Sequence, residues 1–407
     1  MVRFRTSILV VTVFLALFIS GSARCADFLK GWELTGYVET ELRAFKAEPS
    51  FNGQDNRTGF SLAFQPELFR EWSEGTSRFI LTPFLRVDSL DSERTHFDLR
   101  EMHYHYIGDP WELKFGVSKV FWGVTESQHL VDVINQTDGV ENLDFEEKLG
   151  QPMLNFTWLP EWGNIDLFYL PFFRERTFPG TDGRLRFPST VDTDHPEYEA
   201  DWEQWDPSFA ARWAHVIGDF DVGVYYFYGT SRDPLFRISP PGGPGSELIP
   251  VYNRMHQVGT ELQWTQEGWL LKLETLARDG LGQHFQAAVP GFEYTFYSLL
   301  ESSLDLGFLS EYHYDSRWGQ ALTTLNHDVF VGGRLTLNDE MDTAFLGGVL
   351  WDHVHGTATA RIEFERRIGS RFSLGIEGQW FIESEPADLA YFFRNDSFLE
   401  LELRRYF

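Results

Sequence analysis

The stretch Phe97–Asn135, FDLREMHYHYIGDPWELKFGVSKVFWGVTESQHLVDVIN, decides how the rest of the chain is read. Met102, Tyr104 and Tyr106 alternate with Glu101, His103 and His105. After Gly108-Asp109-Pro110, Trp111, Leu113, Phe115 and Val117 alternate with Glu112, Lys114, Gly116 and Ser118. Side chains of an extended chain point to opposite faces in turn, so this period of two predicts two strands, and Gly-Asp-Pro punctuates them into a hairpin. One face is apolar and aromatic, the other charged. A water-soluble hairpin shares that pattern, and what separates the two is the next segment. Val120 to Gly150 is an acidic, glycine-containing loop that ends at a strand-like run from Met153. A short turn at one end and a long loop at the other is the asymmetry of a bacterial outer-membrane barrel.

The same beat runs outward from this hairpin in both directions. Upstream, Leu34, Gly36, Val38, Thr40 and Leu42 alternate with Tyr37, Glu39, Glu41 and Arg43. Phe60, Leu62 and Phe64 follow, then Phe79, Leu81, Leu85 and Val87 opposite Arg78, Thr82, Arg86 and Asp88. Pro66 and Pro83 fall beside these runs and predict a bulge or strand end at each, because proline removes a ladder donor. Downstream, runs join across short turns such as Gly218-Asp219, Gln266-Glu267-Gly268, Asn338-Asp339 and Ile368-Gly369-Ser370. Arg174 to Asp206 reads as the longest loop, and Ser231 to Pro250, with Pro-Pro-Gly-Gly-Pro-Gly, as a loop without regular structure. The chain yields about eighteen runs, or about sixteen if the weak Thr357–Phe364 run is discounted. Short turns and long loops alternate, placing both termini on the short-turn side.

Three segments of the opening stretch, LREMHYHY from Leu99, WELKFG from Trp111 and DVIN from Asp132, together with Trp122-Gly123, resemble a widespread family. It comprises Gram-negative outer-membrane β-barrel proteins, porin-like, largely uncharacterised and distantly similar to alginate-export-type channels. The close resemblance covers Leu99 to about Asn135. A looser one covers Leu170–Gly180 and Tyr228–Arg232. It implies a barrel and carries no substrate.

The N-terminus has Arg3 and Arg5, an apolar run from Ile8 to Ile19 and small residues at Gly21, Ser22 and Ala23, which reads as a signal peptide over residues 1–26. Cleavage after Ala23, Cys25 or Ala26 leaves at most one thiol, so disulfides play no part. Residues 27–407 then form one barrel domain. Aromatic content is 16%, with 38 Phe, 14 Trp and 15 Tyr, as expected of girdles at two lipid interfaces. The net charge of −27 argues against nucleic acid as a partner. The expected partners are outer-membrane lipid and lipopolysaccharide, a small-molecule solute, and the barrel assembly machinery, which would read the terminal strand ending on Phe407.

A barrel this wide encloses an aqueous lumen, so the inward residues become the candidate site. Val120–Gly150 counts as the third long loop, predicted to fold inward and narrow the pore with Glu126, His129, Asp132, Asp138, Glu141 and Asp144, joined by Glu146 and Glu147. The lumen-facing charged candidates are Glu39, Glu41, Arg43, Arg78, Arg86, Glu101, His103, Glu112 and Lys114, of which Arg78, Arg86 and Lys114 are expected to face the loop. Opposed acidic and basic rows would set up a transverse field. Arg174, Arg176, Arg184 and Arg186 form a basic cluster expected in a solvated loop near the mouth. For catalysis, His313 with Ser316, and His353 with Asp352 and His355, are the nearest candidates, but neither sits in a recognisable motif. His103 and His105 share a strand face without a third metal ligand. The reading is therefore a channel and no enzyme, with no cofactor and no metal. Export of an acidic polysaccharide, uptake of hydrophobic molecules along an apolar ladder, and a non-conducting adhesin or structural barrel are the alternatives.

Overall fold

The structure, a computed structural model, describes residues 30–54, 57–240, 246–280, 283–317, 323 and 325–407. The leader predicted over residues 1–26, with Cys25, lies outside the described residues. Eighteen antiparallel strands close into a barrel. The first seven are β1 (Glu33–Phe45), β2 (Thr58–Trp72), β3 (Ser77–Asp88), β4 (His96–Ile107), β5 (Trp111–Ser118), β6 (Gln151–Trp158) and β7 (Asn164–Leu170). Next come β8 (Ser208–Ile217), β9 (Phe220–Thr230), β10 (Arg254–Gln266), β11 (Trp269–Gly280), β12 (Gln283–Phe296) and β13 (Asp305–Tyr312). The last five are β14 (Asp328–Thr336), β15 (Ala344–Asp352), β16 (Ala358–Ile368), β17 (Phe372–Glu383) and β18 (Phe398–Tyr406).

β1 pairs with β2 on one side and with β18 on the other, from Tyr37 opposite Tyr406 to Phe45 opposite Phe398, which closes the sheet. The weak Thr357–Phe364 run is a full stave: β16 pairs with β15 from Ala358 opposite Trp351 to Glu365 opposite Ala344. The strand number is therefore the larger of the two expected. Both prolines interrupt pairing as expected. The β2–β3 ladder breaks between Phe64–Leu85 and Leu68–Leu81, and the β3–β4 register shifts between Thr82 and Pro83. Gly36 stands opposite Pro66 at φ +143, where a Cβ would lie 2.4 Å from the Gln65 carbonyl oxygen.

The barrel is inverted relative to a soluble protein. Glu39, Glu41 and Arg43 of β1 are 2, 3 and 6% exposed, whereas Leu42 among them is 45% exposed and Phe60 of β2 52%. Trp72, Trp111, Trp158, Trp162 and Trp269 stand outside at the short-turn end, and Tyr169, Phe209, Tyr226, Tyr314 and Trp351 outside towards the long-loop end. An apolar exterior between two aromatic bands matches a bilayer and its interfaces.

Two loop expectations are corrected. Ser231–Pro250 is partly regular: Leu235–Ser239 pairs antiparallel with Glu247–Tyr252, and Glu197–Tyr198 adds in parallel, making a small sheet above the mouth. Of the Pro-Pro-Gly-Gly-Pro-Gly run, residues 241–245 lie outside the described residues. The basic cluster is not a solvated patch. Arg174 pairs with Asp98 at 2.7 Å and Arg176 with Asp233 at 3.0 Å. Arg184, buried, pairs with Asp396 at 2.9 Å, and Arg186 donates to the carbonyls of Thr181, Phe187, Pro188 and Asn52. A guanidinium presents five donors in a rigid fork, which suits it to fastening a loop that has few backbone partners of its own.

Candidate functional site

The segment Lys119–Gly150, between β5 and β6, turns into the barrel. Its apolar side chains drive this: Trp122, Val131, Val133 and Ile134 pack with Met153, Phe168, Tyr225 and Phe227 of the wall. Burying each such side chain stabilises by about 1.5–3 kcal/mol, which a solvated loop forgoes.

Polar anchors then fix the loop around the circumference. Glu274 of β11 accepts hydrogen bonds from the backbone N–H groups of Val124 (2.7 Å), Thr125 (3.0 Å) and Val131 (3.2 Å) and from the Thr125 hydroxyl (2.7 Å). Glu311 of β13 accepts from the N–H groups of Glu126 (2.7 Å) and Ser127 (2.8 Å). The Glu126 carboxylate reaches Arg334 of β14 at 2.7 Å. Asn142 donates to Glu377 of β17 at 3.0 Å, and Asp144 pairs with Arg361 of β16 at 2.6 Å. On the opposite wall Glu141 meets Arg86 of β3 at 2.9 Å. Asp138, fully buried, accepts from Arg100 of β4 at 2.7 Å and from Thr177 at 2.6 Å, with His96 3.2 Å away. The loop thus crosses the lumen from β3 and β4 to β11–β17. Charge-assisted bonds of this kind are the stronger ones, and their burial makes an unmatched partner costly.

The remaining candidates divide by place. Asp132 pairs with Lys148 inside the loop at 3.2 Å. On the β1–β3 wall Arg86 also bridges Glu39 and Glu41 at 2.8 and 2.9 Å, Arg94 pairs with Glu41 at 2.6 Å, and Arg43 with Glu400 at 2.5 Å. Glu112 pairs with His105 at 2.8 Å, and Glu101 lies 3.8 Å from buried His103. Lys114 sits on β5 opposite His105 and Asn155. Of the expected basic row, Arg86 meets the loop at Glu141, whereas Arg78 pairs with Glu71 at 2.8 Å beside the short turn. Arg100, Arg334, Arg361 and Lys272 supply the other cations, and Glu274, Glu311 and Glu377 the acceptors. Their signal was the alternation itself: Leu271 and Leu273 facing outward put Lys272 and Glu274 inside.

His129 and Glu146 stand 3.3 Å apart within the loop. Burial opposes the charged imidazole, yet the Glu146 carboxylate raises its pKa overall; Glu146, also opposed by burial, is lowered by His129. A raised histidine stabilises fully below its unfolded value of about 6.5 and loses this as pH rises through the folded value. A lowered glutamate stabilises above its unfolded value of about 4.3 and loses this as pH falls. The pair therefore holds the loop best between roughly pH 4.3 and 6.5. Hydrogen exchange of the amides of Leu130–Ile134, corrected for intrinsic rates, is expected to be slower at pH 6 than at pH 8. His129→Ala should abolish the difference, and its survival in that variant would refute the assignment.

The catalytic candidates find structural explanations. His313 contacts the Ser127 hydroxyl at 2.7 Å, not Ser316, whose hydroxyl accepts from the Gln286 N–H at 2.9 Å. Its Nδ1 has no hydrogen-bond partner among the described residues, whereas a triad histidine is oriented there by an acid. Asp352 caps the loop after β15 through the N–H groups of Val354 and His355 and pairs with the His355 ring at 2.6 Å. Groups with metal-ligand spacing among the described residues are His96/Asp138/Glu141 and Asp352/His355/Asp388. In the first, Arg100 and Arg86 already neutralise the carboxylates.

The sequence matches no protein-family profile and no curated protein. Among solved structures, one described as "Asymmetric conductivity of engineered proteins" is 11% identical with a TM-score of 0.46, covering 92% of this chain and 100% of that one. Pseudomonas putida OprB at high pH is 12% identical with a TM-score of 0.44, covering 95% and 97%. A mutant of Rh. blastica porin is 11% identical with a TM-score of 0.44, covering 92% and 100%.

Proposed function

We propose that this chain is an outer-membrane channel through which small polar or charged solutes diffuse, with the third long loop as its constriction. The observation that carries the reading is the loop's attachment to β3, β4, β11, β13, β14, β16 and β17, which sets it across the lumen and leaves charged pairs of both signs facing the remaining space. Opposed fixed charges orient dipolar solutes and penalise apolar ones that offer them nothing. The inverted burial and the two aromatic bands support the membrane location. Phe407 supports the role of the last strand: its N–H donates to the Gly36 carbonyl at 3.1 Å and its ring stacks on Phe64 at the seam, where a terminal recognition signal would be presented to an assembly machine. Export of an acidic polysaccharide would need a continuous basic stripe, and the lumen arginines Arg86, Arg100 and Arg361 are each ion-paired.

Reconstituted into planar bilayers, the folded barrel is expected to show stable single-channel conductance with measurable ion selectivity. Absence of conductance in the intact protein would replace this reading with that of a closed structural or adhesive barrel.

A further inference from the structure

The two halves of the lumen wall differ in chemistry. On β1–β4 and β18 the inward side chains form a buried ionic lattice, including Glu39, Glu41, Arg86 and Glu400, packed against the loop. On β11–β17 the charged anchors of the loop alternate with inward apolar side chains: Leu276, Phe285, Phe330, Leu346, Leu350 and Phe381 all line one cavity of about 1120 Å³, which Arg361 and Glu377 line as well. Leu130, Leu143 and Phe145 of the loop face them across it. Gly332 and Gly348 stand opposite each other on this wall. A Cβ at Gly348 would lie 2.3 Å from the Phe330 ring, and one at Gly332 3.0 Å from it. The ring therefore lies flat across both glycines, and the wall presents a smooth apolar face rather than a row of projecting side chains.

The cavity also has a charged rim. Asp233 receives both Arg176 and Arg278 at 3.0 Å, and its side chain is 56% exposed. Arg232 beside it is buried and donates to the carbonyls of Ile134 and Thr230. All four residues line the same cavity, so two guanidiniums share one carboxylate there and a third, Arg232, stands beside it on backbone carbonyls alone. Charge that the protein leaves in excess beside an apolar surface is compensated by a ligand that brings both an apolar body and an anionic head.

We infer that the solute favoured by this channel is a small amphipathic organic anion, an aromatic or aliphatic monocarboxylate. Its apolar body lies on the Phe330–Leu350 wall and its carboxylate is held by the arginines around Asp233. This rests on the channel reading above and narrows its solute class. It also explains why apolar residues occupy inward positions that in a purely aqueous pore would be polar.

The test uses the folded full barrel with benzoate, acetate and benzylamine as probes. Binding is measured by calorimetry in detergent and, separately, as block of single-channel current. Benzoate is expected to bind about tenfold more tightly than acetate, the effect of burying one aromatic ring face. Phe330→Gln/Leu350→Gln should erase that advantage, while Arg278→Gln should weaken benzoate and acetate alike. Conductance with equal block by benzoate and acetate overturns the inference and leaves the channel standing. Benzylamine binding as well as benzoate overturns the anionic head. A barrel that binds benzoate selectively but never conducts keeps the binding site and removes the channel. Loss of preference in the double variant counts only if it retains the electrophoretic shift of a folded barrel; Leu350→Met, which keeps the apolar surface, should retain the preference.

Discussion

Arg86→Ala is expected to destabilise the barrel by about 3–5 kcal/mol, the usual consequence of stripping one partner from a buried ion-pair network. Arg86 is 5% exposed and bonds Glu39, Glu41, Glu141 and the Ser61 hydroxyl. After its loss Glu41 keeps Arg94 and Glu39 keeps Arg404, but among the described residues Glu141 retains only His96, at 3.5 Å, as an ion-pair partner. The stranded charge therefore sits on the loop, and the loop loses its hold on β3. The readout is the temperature at which the folded, fast-migrating band disappears in SDS electrophoresis, with urea unfolding as a second measure. Arg86→Lys should recover only part, since a point charge cannot bridge three carboxylates as a planar fork does. Adding Glu141→Gln to Arg86→Ala should restore part of the loss by removing the orphaned charge, a non-additivity that identifies the pair. A fully additive double variant would show that Glu141 is compensated elsewhere.

Glu274→Gln should have its largest effect on conduction rather than on folding. The carboxylate accepts four hydrogen bonds from the loop, three of them from backbone N–H groups. An amide offers one acceptor oxygen and turns an NH2 towards donors. Three of the four bonds end on Oε1, so an amide oxygen placed there keeps them and the NH2 faces the Val131 N–H; losing that one bond at about 1.5–3 kcal/mol shifts the balance of docked and undocked loop by ~10- to 100-fold. Single-channel recordings are expected to show larger and noisier conductance, with the thermal stability of the barrel little changed because no strand–strand bond is lost. Glu112→Gln is the control: its partner His105 lies on the β4–β5 wall, away from the loop, and conductance should stay as in the parent. Unchanged conductance in Glu274→Gln would show that the loop is positioned without this clamp.

The candidate site was legible in outline only. The short-turn and long-loop alternation numbers the loops and so puts Glu126, Asp138, Glu141 and Asp144 on the one expected to fold inward. Alternation with Leu85 and Val87 puts Arg86 inside. Arg78 obeys the same alternation yet lies beside the short turn, paired with Glu71, since period two gives a face and not a height. The apolar inward run of Phe330, Leu346 and Leu350 was hidden for a related reason. Where both faces of a strand are apolar, alternation no longer tells inside from outside.

What the sequence by itself determined is the closed antiparallel barrel, its hairpin turns, its polarity and the identity of its third long loop. Each of these follows from contacts between neighbours in the chain: period-two alternation, turn residues and loop length. Only the tertiary structure decided which groups meet across the lumen. Glu274 with Thr125, Glu311 with Ser127, Arg361 with Asp144 and Arg184 with Asp396 lie 149, 184, 217 and 212 residues apart. Such pairs are selected by where closure of the sheet brings opposite staves, and many acids in this chain were equally eligible for each arginine. The cavity that the loop shares with Phe330, Leu346 and Leu350 is a property of that closure, because it exists only once β18 has met β1 and the loop has chosen a side.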